Sequence, residues 1–162
     1  MNINRLKNAL AHIYMDGVGK KDVQHMYRLF KNESPNNATS FNPNMLADTL
    51  HLSREQLFNI IVRGLVHELL EMHWVVNCHH CAAIVNGVRA LQELSDANYC
   101  QRCQVRFDNF ADHNIIVELS LHPQILNRSE PHKAGNRHDY QHDNRPPLTA
   151  LELSGYPQFR EK

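Results

Sequence analysis

Residues 75–107 read VVNCHHCAAIVNGVRALQELSDANYCQRCQVRF and hold all four cysteines of the chain. The cysteines form two CxxC pairs, Cys78/Cys81 and Cys100/Cys103, in a C-x2-C-x18-C-x2-C pattern. Such pairs serve as disulfides, as redox dithiols or as metal ligands. The spacing falls inside the range of structural zinc sites. Two residues between cysteines let a tight turn aim both sulfurs at one ion, and two such turns from separate hairpins complete a tetrahedron. Four sulfur ligands leave no position for water, so the expected Zn²⁺ is structural and not catalytic. Backbone N–H groups in each knuckle, together with Arg102, are expected to stabilise the negative charge of the cluster. A thioredoxin-like redox pair is the main competing reading, but one redox CxxC needs no second pair at this distance. His79 and His80 lie inside the first pair and could compete as ligands; the complete cysteine set predicts that they are exposed instead. The eighteen intervening residues are enough for a strand, a turn at Asn86-Gly87 and a short helical piece near Leu91–Leu94.

Upstream, several local signals agree. Residues 5–14 predict a short helix with Leu6, Leu10 and Ile13 on one face, and Val23, Met26, Tyr27 and Phe30 mark a second amphipathic helix. KNESPNNATS, residues 31–40, reads as a polar loop. Asn42 can cap a helix that starts with Pro43 and carries Leu46, Ala47 and Leu50 on its apolar face. Ser53 with Gln56 forms a capping box for the next helix, lined by Leu57, Phe58, Ile61 and Leu65. Gly64 permits close packing or helix termination near its end. Helix, short turn, helix, then an extended LLEMHWVV is the pattern of a winged helix-turn-helix. Trp74 is expected in the core, since an aromatic in a strand beside a small ribbon packs more often than it binds. NIIVELSLHP, residues 114–123, alternates like a strand. From Asn127 the chain turns polar and proline-containing, and reads as a loop or tail. The expected architecture is therefore α+β: a helical, winged-helix-like region over 1–73, a zinc ribbon over 74–126 packed against it, and a loop with a linker-like segment over 127–162.

The chain of 162 residues balances 17 basic against 17 acidic residues. A dedicated DNA binder is usually basic, because phosphate neutralisation supplies most of its affinity. The helix from Arg54 nevertheless offers Arg54, Asn59 and Arg63 to base edges, with Glu55 and Glu68 opposing phosphate. A DNA-binding winged-helix regulator is thus the alternative function. The twelve histidines suggest a third, a pH or metal sensor, but His132, His138 and His142 are irregularly spaced. There is no Ser-His-Asp pattern, P-loop, GxGxxG or HExxH motif, and the acid pair Asp108 and Asp112 reads as part of a polar loop with no identifiable companion base. No catalysis is expected. The N-terminus lacks the apolar run of a signal peptide, and no apolar run of membrane-spanning length occurs. A soluble cytoplasmic protein with no membrane contact is expected.

Two runs, FNPNMLADTLHLSREQLFNIIVRGLVHELLEMHWVVNCHHC and LQELSDANYCQRCQVRFDNFADHNIIVELSLHPQI, resemble the N-terminal domain that precedes class III adenylate/guanylate cyclase catalytic domains in many bacterial proteins. The matching residues are Leu46-Ala47, Gly64-Leu65, Trp74, Cys78, Cys81, Leu91, Leu94, Cys100, Cys103, Asn114, Val117 and His122-Pro123-Gln124-Ile125. LTALELSGYPQFREK resembles the linker toward the catalytic domain. Where that family often has Pro after the first cysteine, this chain has His79. No cyclase catalytic domain follows within the 162 residues, which suggests a fragment or a standalone relative. The resemblance implies a regulatory or sensory module whose partner is a protein or a covalently attached cyclase domain. A homodimer is compatible with it.

Overall fold

The computed structural model describes residues 1–32, 40–94, 97–108 and 115–127. Five α-helices, five strands and one 3-10 turn follow in the order α1 (Ile3–Met15), α2 (Lys20–Asn32), α3 (Pro43–Leu50), α4 (Arg54–Val66), β1 (Leu70–Asn77), β2 (Ile84–Val88), the 3-10 turn (Leu91–Glu93), β3 (Ala97–Cys100), β4 (Val105–Asp108), β5 (Ile115–Leu121) and α5 (Pro123–Leu126). The mixed α+β class is as expected. Lys31 and Asn32, expected to open the loop over 31–40, instead end α2; residues 33–39 of that loop, Asp112, Asn114 and the segment from 128 onward, with His132, His138 and His142, lie outside the described residues.

The described residues fall into two compact units. One lies within Met1–Glu71 and Leu119–His132, the other within Met72–Glu118. The first unit therefore takes in the end of β5 and all of α5, in addition to the helices that precede β1.

In the first unit, the helix boundaries follow from local chemistry. Asn2 caps α1 by accepting the Arg5 N–H (3.1 Å), and α1 buries Leu6, Ala9, Leu10 and Ile13 at helical spacing. The Asn42 side chain accepts from Asn44 N–H, with Pro43 at the first helical position of α3. The capping box of α4 is complete. Ser53 Oγ accepts from Gln56 N–H at 3.2 Å, and Gln56 Oε1 accepts from Ser53 N–H at 2.8 Å. The chain leaves both helices through a left-handed residue that is not glycine, His51 (φ 54°) at the cap of α3 and Glu68 (φ 53°) just past the cap of α4. In each case the next amide reaches back five residues, Leu52 to Ala47 O and Leu69 to Gly64 O, both at 2.8 Å.

The faces so oriented meet around Leu6, Ile13, Met26, Leu46, Leu57, Phe58 and Ile61, none more than 2% exposed. Ile60 joins this core, whereas Leu65 is half-buried. Phe41 and Leu119 exchange backbone hydrogen bonds of 2.7 and 2.9 Å, and Asn2 N–H donates to Ile125 O at 2.6 Å. These bonds tie the chain start and the segment before α3 to the β5–α5 end.

Gly64 shows close packing directly. A Cβ there would lie 2.7 Å from Leu70 Cδ1 and 2.9 Å from its Cγ, and Leu70 is buried. Gly64→Ala gains about 0.5–1 kcal/mol of helix propensity but incurs about 1–3 kcal/mol of overpacking. The expected net result is a lower melting temperature, by several degrees in a unit of this size. A thermal melt at or above the parent value would contradict the packing.

The second unit is built from strands. One sheet has the order β2-β1-β5 and a second the order β3-β4. β1 and β2 are antiparallel, with Trp74 opposite Val88 and Val76 opposite Asn86. Trp74, 4% exposed, is a core residue as expected. Asn86 and Gly87 do not form the expected turn; they lie within β2, opposite Val76 and Val75. The chain reverses earlier, at the first cysteine pair, so a second turn here would break the pairing already begun. The helical piece is the 3-10 turn at Leu91–Glu93. Asp108 closes β4 and is not a loop residue. β5 forms as expected, but all seven of its residues are buried, including Glu118 and Ser120. Its polar alternation does not mark a wet face.

Candidate metal centre

The two CxxC pairs occupy the reversals of two antiparallel hairpins, β1–β2 and β3–β4, and the reversals have the same construction. In the first, Ala82 N–H donates to Cys78 O at 2.8 Å. In the second, Gln104 N–H donates to Cys100 O, also at 2.8 Å. The residue after the second cysteine is left-handed in both, Ala82 at φ 55° and Gln104 at φ 58°. The strands then resume pairing at once: Cys78 N–H donates to Ala83 O at 2.9 Å, and Cys100 sits opposite Val105. The first cysteine of each pair, Cys78 and Cys100, is buried; the second, Cys81 and Cys103, is half-buried.

All four Sγ atoms lie within 4.8 Å of one another. Cys78 and Cys103 are 3.5 Å apart, and Cys81 and Cys100 are 3.6 Å apart. A disulfide requires about 2.0 Å, and the four thiols are free. A tetrahedron with metal–sulfur bonds of about 2.3 Å has edges of about 3.8 Å. The sulfur spacing therefore fits four ligands sharing one ion.

The electrostatics point the same way. Amide N–H groups are directed at the sulfurs: Ala83 to Cys81, Cys103 and Arg102 to Cys100, and Val105 to Cys103. The Cys103 N–H, aided by the neighbouring thiols, lowers the Cys100 thiol to about 6. Burial and the other three thiols push Cys103 up to about 12. At Cys81 the Ala83 N–H favours the thiolate, but burial and the Cys100 and Cys78 thiols outweigh it and the pKa rises. One thiolate is readily held here, whereas four at this distance repel one another unless a cation replaces the protons. Arg102 contributes its backbone N–H, and its side chain is exposed.

His79 and His80 are exposed, as expected, and neither joins the sulfur cluster. Their rings lie 4.2 Å apart. The His79 ring meets Phe107 of β4 edge to face, with centroids 5.2 Å apart. His79 thus packs the first knuckle against the second hairpin. Sequence spacing gave no sign of this contact.

The residues considered for base readout lie on α4 and are engaged within the first unit. Arg63 Nε donates to Asn59 Oδ1 at 2.8 Å, and its guanidinium pairs with Asp16 at 3.2 Å. The Arg54 guanidinium sits over the Phe58 ring, 5.8 Å from its centroid. His67 Nε2 meets the same Asp16 carboxylate at 2.6 Å, and the His12 ring stacks on His67 at 5.3 Å. The hydrogen bond with His67, with charge support from Arg63, holds the Asp16 carboxyl below its ordinary value. A depressed folded pKa stabilises the fold above the unfolded value and loses that contribution as pH falls through the folded one. Asp16→Asn should therefore melt closer to the parent below about pH 4 than at neutrality. Parallel melting curves across that range would contradict the pairing.

Among the described residues, no helix is long and apolar enough to cross a membrane. A protein-family model described as a family of unknown function (DUF5939) matches residues 5–143. No curated protein and no solved structure matches the chain. The match reaches into both compact units and spans all four cysteines, and the chain belongs to the DUF5939 family.

Proposed function

We propose that this member of the DUF5939 family is a non-catalytic module for regulation or protein interaction, built around one structural zinc ion. Cys78, Cys81, Cys100 and Cys103 are the ligands in this reading. The observation that carries it is the convergence of four free sulfurs within 4.8 Å from two identically built turns. Zinc suits an all-thiolate tetrahedron, and a closed set supplies folding energy in place of an open coordination position. In this reading the two hairpins, within 74–126, are a zinc ribbon, and the helical region over 1–73 is winged-helix-like. The cyclase resemblance of the sequence supports placing the module in cyclic-nucleotide signalling, with a nucleotide cyclase, attached or separate, as what it regulates. Arg63 and Asn59, already bonded to each other, weigh against the DNA-binding alternative.

Elemental analysis of chain purified under reducing conditions tests the centre. One zinc per chain is expected, lost on substitution of a ligand. Absence of stoichiometric metal would remove the reading, and ATP or GTP turnover by the isolated chain would remove its non-catalytic part.

A further inference from the structure

The outer surface of the first unit carries a groove between α1 and α2. Its volume is about 580 Å³, and it is largely open to solvent. α1 lines it with Lys7, Leu10, Ala11 and Tyr14, and α2 with a matching run from Lys20 through Val23 and Tyr27 to Arg28. On each helix these positions recur at helical spacing, so each presents one continuous stripe. α2 fully buries only Met26 and Phe30; Val23 and Tyr27 stay half-buried, and Tyr14 is 52% exposed. The floor is thus apolar and incompletely covered.

The rim is cationic. Lys7, Lys20 and Arg28 line the groove, and no acidic residue does. Lys7 Nζ and Lys31 Nζ both lie over the Tyr27 ring, 5.9 and 5.7 Å from its centroid. The chain as a whole is neutral, with 17 residues of each sign, so this concentration of one sign is local. The groove is too open to enclose a small ligand, which typically buries most of its surface. Two parallel stripes flanking an apolar channel instead match the shape of a third helix laid between two others. We propose that this groove docks an acidic amphipathic helix of a protein partner, with apolar residues at i, i+3, i+4 and i+7 on Tyr14, Val23 and Tyr27 and flanking carboxylates on Lys7, Lys20 and Arg28. The proposal gives the interaction module its surface and rests on that reading. Zinc content is measured separately, so failure of the metal centre and failure of the groove are distinguishable.

The probe is a fluorescein-labelled helical peptide of about 15 residues with Leu at those four positions and Glu along both flanks. Controls are the same peptide with Lys for Glu and one with Ser for Leu. Anisotropy titrations use the full zinc-loaded chain and its K7E/K20E/R28E variant, whose exposed sites should leave the circular dichroism melt unchanged. Saturable binding of the acidic peptide is expected, weaker by about tenfold or more in the variant, with the Lys peptide preferring the variant. The Ser peptide should bind neither. Absence of saturable binding, or equal binding by parent and variant, overturns the proposal. So does sedimentation showing a dimer that the variant loses, since the occupant is then a second copy. Charge-dependent binding to phosphatidylglycerol vesicles without peptide binding overturns it in favour of a lipid surface.

Discussion

On the proposed zinc reading, stripping the metal with a chelator, or replacing Cys100 by Ser, shifts the emission of Trp74 to the red and removes the cooperative melt of the second unit. Trp74 is the single tryptophan of the chain, and it is buried in β1 of that unit. The effect is large because β2, β3 and β4 bury little, the apolar burial of this unit lying in β1 and β5. Every residue of β2 is only half-buried. In β3–β4 the buried apolar side chains are Cys100 and Phe107, and Tyr99 is 49% exposed. A two-stranded hairpin with so small a face is marginal in water. A thiolate-rich zinc site supplies about 10–16 kcal/mol of apparent binding energy, as much as the whole stability of a typical domain. Cys100→Ser loses a ligand and leaves three thiols crowded without a closed shell. Coincident melts and unchanged emission with and without chelator would contradict the prediction.

Phe58→Ala should destabilise the first unit by about 3–5 kcal/mol. Phe58 is 2% exposed and is among the largest fully enclosed side chains of the helical core, beside Leu57 and Ile61 on the inner face of α4. Truncation loses the transfer free energy of the ring and leaves a cavity that fixed helix ends cannot close. The capping box at Ser53 and the reach-back bond at Gly64 O hold α4 at both ends. Val66→Ala on the same helix, at a site 64% exposed, should stay within about 0.5 kcal/mol of the parent. Denaturant titration followed by helical circular dichroism separates the two. Equal midpoints would refute the core assignment.

The features that could be read in the sequence are those whose physics is local. Asn42-Pro43 and Ser53 with Gln56 announce helix starts because cap and recipient amide are at most three residues apart. The cysteines announce their own convergence because a CxxC turn is set by its two intervening residues. The turn expected at Asn86-Gly87 failed because the metal-type knuckle had already reversed the chain, so the pair extends β2 instead. Burial on both sides of β5 was invisible, since Glu118 and Ser120 mimic a solvated face. The contact of Asp16 with Arg63 and His67 joins residues far apart in the chain, and the spacing of neither segment encodes it. The same holds for His79 against Phe107, and for the groove, which exists only once α1 and α2 lie side by side.

Ala82 and Gln104 occupy a backbone region that costs an ordinary L-residue about 1–2 kcal/mol, where glycine would rest without strain. On the proposed metal reading, ion binding offsets that strain and holds both turns. Folding of this half would then track ion supply: a starved cell would hold the chain with its hairpins unmade, open to proteolysis, and a replete one would hold it set. Glycine at both positions would loosen that dependence.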